Sequence, residues 1–341
     1  MLFDQILRKY FIFLKEAEGL SVKTIDSKTL SLDIFHKLYR GDLKKISPNR
    51  MIKLKQDIRQ YSSNGKILSL KRVRRTLGDI TKFLLWLSQQ TGYKSKINTD
   101  IISYLSLSNE ELAKTYISDR RDFPLVEQVV LMCKQLPNET LLDMRDTAII
   151  AFLMCFGIRN ETLRTLKLGC IDRISLELKQ SPLDDVKTKN TKENHTFCFR
   201  FDDYLVSLIR NWVNTLYTHG FSQSDPLFPR SRFSGNIDGT FAKRIDLEKD
   251  FMRSSGTLNR ILRQRTEENG FRYYSAHCFR HSCAYHALLC VENAHQLKAV
   301  SQQFSHNTVA LLLTTYGNLS MHQQRETIQN MHFNYANKFQ L

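Results

Sequence analysis

Four short stretches carry residue types that can hold an anion, move a proton or attack an electrophile. The first is Gly157-Ile158-Arg159-Asn160-Glu161, where an apolar run ends in glycine and an arginine follows at once. A buried helix ending this way fixes a permanently charged, planar fork at a defined point. Pairing of Arg159 with Glu161 as structural glue is the plainer alternative. The second holds Lys187, Lys189 and Lys192 on a turn-rich tip. Such lysines can reach a phosphate or donate a proton, or can simply be solvated. The third is His277-Cys278-Phe279-Arg280-His281-Ser282-Cys283. Helical spacing puts His277 and Arg280 on one face, with Ala284, Ala287 and Leu288 toward the packing side. His277 and His281 have the spacing of a zinc pair. No acidic ligand or paired CxxC accompanies them, however, and Arg280 would repel a dication, so no metal is expected. The fourth is Phe304-Ser305-His306, followed by Tyr316 in Leu313-Thr314-Thr315-Tyr316-Gly317. Tyr316 is one of 13 tyrosines and means little alone.

The elements that must position these residues are mostly helical. Leu30, Ile34, Phe35 and Leu38 repeat at helical spacing behind the possible caps Ser21 and Thr24. Met51, Leu54, Ile58 and Tyr61 do the same until Ser63-Asn64-Gly65 breaks the pattern. A longer helix is expected over 70–87, with Val73, Leu77, Ile80, Phe83, Leu84 and Leu87 on one side. Residues 92–122 read as a polar linker. Helices are expected over 125–136 and 140–156, the second holding the apolar run Ala148–Ile158. Three strand-like segments follow, Ile174–Leu178, Leu183–Lys187 and Thr196–Phe201, and suggest a small antiparallel three-stranded sheet. Helices return over 204–217 and from about Gly256. The expected fold is mainly α, with a helical domain over 1–115, linker included, and an α-rich domain over 116–341.

Composition narrows the partner. The 341 residues hold 50 Lys+Arg against 34 Asp+Glu, a net +16, with 42% hydrophobic content. A chain that can bury a real core is neither disordered nor fibrous. A strong basic excess points to an acidic partner, most economically nucleic acid. Residues 1–115 carry 22 basic and 11 acidic side chains, a net +11, which leaves 28 and 23, a net +5, for residues 116–341. Lys71, Arg72, Arg74 and Arg75 crowd the first turns of the 70–87 helix, where cations oppose the helix dipole. Phosphates would neutralise them; a solvated basic face is the alternative. Arg260 and Arg263, on the helix from about Gly256, are further candidate DNA contacts. Seven cysteines without a CxxC pair read as reduced thiols of a cytoplasmic protein. The longest apolar run has 11 residues, Ala148 to Ile158, too short for a membrane span, and no signal peptide is expected.

Taken together, the motifs resemble the tyrosine recombinase (phage integrase) family, in the order Arg159, Lys189, His277 with Arg280, His306 and Tyr316. The stretch His277-Cys278-Phe279-Arg280-His281-Ser282 is the most specific part and resembles the family's His-x-Leu-Arg-His-Ser/Thr box. Leu166-Lys167-Leu168-Gly169-Cys170-Ile171-Asp172 and Asp225-Pro226-Leu227-Phe228-Pro229 resemble flanking family segments. The likeness covers about residues 120–320, and residues 10–90 more loosely resemble the family's helical core-DNA-binding domain. Two departures stand out. Thr162 occupies the place of the family's usual glutamate, with Glu161 one residue earlier, and Ser305 stands where glycine commonly precedes the late histidine.

The resemblance implies a site-specific recombinase acting on double-stranded DNA as a tetramer on paired sites, for integration or excision of a mobile element. It needs neither metal nor ATP. Tyr316 would be the nucleophile and Arg159 and Arg280 would hold the non-bridging oxygens, with a hydrogen bond from His306. His277 would accept the phenolic proton. Lys189, with Lys187 as runner-up, would protonate the leaving oxygen. A DNA-binding relative without strand exchange, topoisomerase- or resolvase-like or inactive, is the alternative.

Overall fold

The computed structural model describes residues 2–116, 122–188, 191–233, 244–305, 308–317 and 321–330. The chain divides into two units, Met1–Arg120 and Arg121–Leu341.

The first unit is built from α1 (Leu2–Glu16), α2 (Val22–Leu38), α3 (Pro48–Gln60), α4 (Leu70–Ser88) and α5 (Asn109–Tyr116). Ser21 and Ser69 cap α2 and α4 by accepting the amides of Thr24 and Arg72, each at 3.3 Å. Pro48 opens α3, where its missing N–H is not needed. The apolar stripe of α4 is wholly buried. Asp79, on the same helix, accepts from Lys28 at 3.0 Å and Ser31 at 2.8 Å, which ties α4 to α2. The break at 63–65 is a two-residue hairpin turn joining β1 (Ser62–Ser63) to β2 (Lys66–Ile67). Asn64 and Gly65 both take left-handed φ there, +50° and +74°, as a mirror-image turn demands.

Residues 92–122 do not form the plain linker that the sequence suggested. Thr99–Leu105 is a 3-10 helix, and Ile97, Ile102, Leu105 and Leu107 are buried in the first unit's core. Of these, only Ile102 and Leu105 lie in that short helix, too few apolar positions to be found by a search for amphipathic α-helices.

The second unit contains α6 (Val126–Gln135), α7 (Leu141–Phe156), α8 (Asn160–Leu163), β3 (Leu178–Gln180), β4 (Asn194–Thr196), α9 (Asp203–Thr218), β5 (Pro229–Phe233), β6 (Arg244–Phe251), α10 (Ser255–Glu267), α11 (Ala276–Leu289), α12 (Ala294–Gln303), α13 (Val309–Tyr316) and α14 (Met321–Gln329). Its centre is α7, whose residues 148–156 are all buried. A helix apolar on every side must be surrounded, and α6, α9, α10 and α11 pack around it. A buried ionic cluster adds direction to that packing. Arg145, fully buried, binds Asp146 through Nε at 2.9 Å and the Pro229 carbonyl through Nη1 at 2.9 Å. Arg265 of α10 reaches Asp146 at 2.8 Å and Asp143 at 2.5 Å.

The fold is mainly α, as expected, but the small sheet is two-stranded where three strands were expected. β3 pairs antiparallel with β4, and Ile171 adds a single bridge to Leu178. Leu183–Lys187 is not a strand. Pro182 opens a 3-10 turn through Asp184, and Asp185 follows with φ +61°, a sequence of backbone states that cannot lie in a ladder. Only Thr196 of the third segment stays in the sheet. Phe199 leaves it to donate its N–H to the Cys155 carbonyl at 2.8 Å, and its ring stacks on Phe201 and Phe304. A second antiparallel hairpin, β5 with β6, was not foreseen.

Candidate active site

The site is built at the end of α7. Gly157 closes that helix with φ +57°, the left-handed conformation that glycine adopts without strain. The chain then turns, and Arg159 caps the short α8 with an extended backbone. A Cβ at position 157 would lie 2.5 Å from the Phe304 ring and 2.8 Å from Cys283 Sγ. Close approach therefore demands glycine as much as φ does.

Arg280 comes from the second turn of α11 and is 5% exposed. Its guanidinium donates to two backbone carbonyls, Gly157 O at 2.6 Å and Phe304 O at 2.7 Å. It also lies 5.0 Å from the Phe304 ring centroid. Arg159 reaches the same Phe304 carbonyl with a long contact of 3.5 Å. Two like charges thus converge on one acceptor. Burial, and then the charge of Arg280, pull the Arg159 guanidinium down to about 10, with Tyr316 pulling the other way. An anion such as a phosphate arriving between them would relieve their repulsion.

Tyr316 is the last residue of α13. Its ring stands edge-on to His281, with centroids 4.8 Å apart, and tilted against Phe304 at 5.9 Å. His277, in the first turn of α11, is hydrogen-bonded Nε2 to Nε2 with His281 at 3.0 Å. Arg159, His277, Arg280 and Tyr316 are therefore gathered on one carbonyl, one aromatic ring and one imidazole. Lys189 and His306 lie outside the described residues. Their flanks are described: Lys187 is held by its backbone, its carbonyl accepting from Thr162 Oγ1 and its amide donating to Thr165 Oγ1, both at 2.9 Å. Thr162 thus holds the chain at Lys187. Ser305, next to His306, has φ +50°, a backbone conformation that glycine adopts without strain.

The candidate DNA-contact residues fall in two places. Lys71, Arg72, Arg74 and Arg75 occupy the start of α4, but not all serve the surface alone: Arg74 donates to Thr115 Oγ1 at 3.0 Å and Arg75 donates to Ser27 Oγ. Arg260 and Arg263 lie on α10. Arg263 covers the Tyr273 ring at 4.6 Å. Arg260 lines a cleft of about 310 Å³ with Arg230, Glu248 and Arg253, between the β5–β6 hairpin and α10. Among the described residues, no group of three or more His, Cys, Asp or Glu side chains could hold a metal ion. Nor is any described helix long and apolar enough to cross a membrane.

Two participants escaped the sequence. Phe304 acts through its backbone carbonyl, for which no side-chain pattern exists. In the sequence, His281 has a place in the family box and a possible zinc pairing with His277, but no role in the reaction. The signal was the same i, i+4 spacing, which also lets two imidazoles hydrogen-bond each other.

The fold matches that of known proteins. The structure resembles that of the Tn1549 transposon integrase in complex with transposon right end DNA, with a TM-score of 0.59, 12% identity and coverage of 95% of this chain and 98% of that one. It resembles the XerH site-specific recombinase bound to palindromic difH substrate, in a post-cleavage complex, with a TM-score of 0.59, 17% identity and coverage of 95% and 83%. At such identities the likeness is one of fold. No curated protein matches the chain. Residues 125–323 match the sequence profile of the phage integrase family. That match spans more than half of the 341 residues, and the chain belongs to the phage integrase family.

Proposed function

We propose that the protein is a site-specific DNA recombinase of the tyrosine type, which cuts and rejoins double-stranded DNA through a covalent 3′-phosphotyrosine. The observation that carries this reading is the convergence of Arg159 and Arg280 on the Phe304 carbonyl beside Tyr316. Attack on a phosphodiester gathers negative charge on the non-bridging oxygens. Two fixed guanidinium forks are well suited to stabilise it, and His306 adds a hydrogen bond. The Tyr316 oxygen bonds to phosphorus as its proton passes to His277. The bond from phosphorus to the 5′ oxygen breaks, and Lys189 protonates that oxygen. The phosphotyrosine keeps the bond energy, so a 5′ hydroxyl from a partner strand can reverse the step without ATP. Three protein cations, Arg159, Arg280 and Lys189, surround the phosphate in this scheme, and no metal takes part.

In the biological reaction, four copies act on paired sites, and the product is the integration or excision of a mobile element. The +11 of residues 1–115 supplies a sequence-tolerant grip on the backbone around the cut.

A nicked suicide site tests the chemistry. Wild type should leave a DNA adduct on a denaturing gel, with EDTA present or absent, and Tyr316→Phe should leave none. An undiminished adduct in Tyr316→Phe would remove that residue from the reaction, and loss of the adduct in EDTA would refute metal independence. Arg159→Ala and Arg280→Ala should bind the site without cutting it. Strand exchange on two paired sites then separates a recombinase from a relative that only binds or only cuts.

A further inference from the structure

His281 follows Arg280 on α11 and has no part in the scheme above, yet it touches two residues that do. Its side chain is buried, at 5% exposed. Its Nε2 lies 3.0 Å from Nε2 of His277, and the two rings meet edge to face at 82°. The same ring stands against Tyr316 at 4.8 Å and 65°. A buried ring wanted for packing alone is better served by an apolar side chain, because an imidazole taken from water costs free energy unless it is hydrogen-bonded. Here the bond goes to the candidate proton acceptor.

A hydrogen bond between two neutral imidazoles requires that one Nε2 carries the hydrogen and the other does not. The two tautomers are therefore fixed against each other. If His277 donates, its Nδ1 is left as the acceptor, and the cation formed when the phenolic proton arrives there keeps the same Nε2–H bond to His281. If His277 accepts, that bond is broken or reversed when His277 gains a proton. We infer that His281 is a positioning residue for the cleavage step. It accepts from His277 Nε2, which fixes the tautomer and ring orientation of the base, and it backs the Tyr316 ring so that base and nucleophile are aligned as one unit. This inference rests on the recombinase reading.

The test compares three substitutions in the full-length protein: His281→Phe, His281→Leu and His281→Asn. Site binding and thermal unfolding are measured first. The comparison then uses whichever apolar variant binds the site as wild type does. Single-turnover cleavage of the nicked site should slow about 100-fold in the apolar variant, the scale of a misplaced reacting group, with site affinity unchanged. His281→Asn, whose amide oxygen can accept from His277, should recover about tenfold of that loss, within the scale of one oriented hydrogen bond to an ionised group. An apolar variant cleaving at the wild-type rate would overturn the inference, as would an Asn variant no faster than the apolar one. Absence of an adduct in wild type would instead overturn the recombinase reading itself, so the two failures are distinct.

Discussion

Arg159 holds its charge where the folded protein works against it. Burial and the neighbouring Arg280 lower its pKa to about 10. A base whose pKa falls on folding destabilises the fold at every pH where it is charged, and the cost fades only as pH rises through the lowered value. At pH 7 that cost is fully present. Replacing Arg159 with the neutral Gln should therefore stabilise the free protein, by about 1 kcal/mol or less once partial solvent exposure is discounted. The same variant should not cleave. Urea midpoints at pH 7 check the first statement, and adding phosphate checks its cause. Phosphate should raise the wild-type midpoint more than that of Arg159→Gln. A lower midpoint for the free variant would make Arg159 a structural residue. Legibility at this scale was uneven. Arg159, His277, Arg280 and Tyr316 could be read because they project chemistry from their side chains. The Phe304 carbonyl could not, because every residue has one and only the fold decides which is presented.

Two left-handed residues bring the elements of the site together, and they should respond to substitution in opposite ways. Gly157→Ala meets both an unfavourable φ and the Phe304 ring. About 1 kcal/mol for the backbone and about 1–3 kcal/mol for overpacking give a loss of about 2–4 kcal/mol. The Gly157 carbonyl, which Arg280 uses at 2.6 Å, would shift with it. Cleavage should fall even at temperatures where the variant stays folded. Ser305→Gly should instead relieve strain at φ +50° and stabilise the protein by about 0.5–1 kcal/mol. Thermal unfolding of the two variants measures both. The glycine that ends α7 was plain in the sequence because an apolar run stopped there. The sheet was less so. Leu183–Lys187 looked strand-like, but Pro182 and the left-handed Asp185 turn it aside. The β5–β6 hairpin was missed because polar pairs across its strands, Arg230 with Glu248 and Asp250, sit where alternation alone gives a weak pattern. The ionic cluster joins the adjacent pair Arg145 and Asp146 to Arg265, 119 residues further along the chain, and no local reading could supply that third member. Asp146→Ala would leave the buried Arg145 without its counter-charge and the partly buried Arg265 with Asp143 alone, and should cost about 3–5 kcal/mol, which denaturant unfolding would measure.

At the scale of the whole molecule, the proposed function divides the charges by task. Of the net +16, residues 1–115 carry +11, while the gathering around Tyr316 uses only a few cations. Charge that grips DNA acts by releasing counterions, so it must appear in the salt dependence of binding. Charge that stabilises a transition state need not. The slope of log K against log salt changes by about 0.9 for each phosphate of duplex DNA that the protein ceases to neutralise. Lys71 is exposed at the start of α4, and Lys71→Ala should flatten the slope by about that amount on specific and random DNA alike. Arg74 is half-buried and donates to Thr115 at 3.0 Å. Arg74→Ala should therefore cost about 1 kcal/mol of folding stability and flatten the slope less than Lys71→Ala. Tyr316→Phe should leave the slope unchanged while abolishing the adduct. Filter binding across a salt series, beside denaturation of the same variants, tests all three. If Lys71→Ala left the slope unaltered, the basic start of α4 would be a solvated face, and the proposed grip on DNA would have to come from other cations.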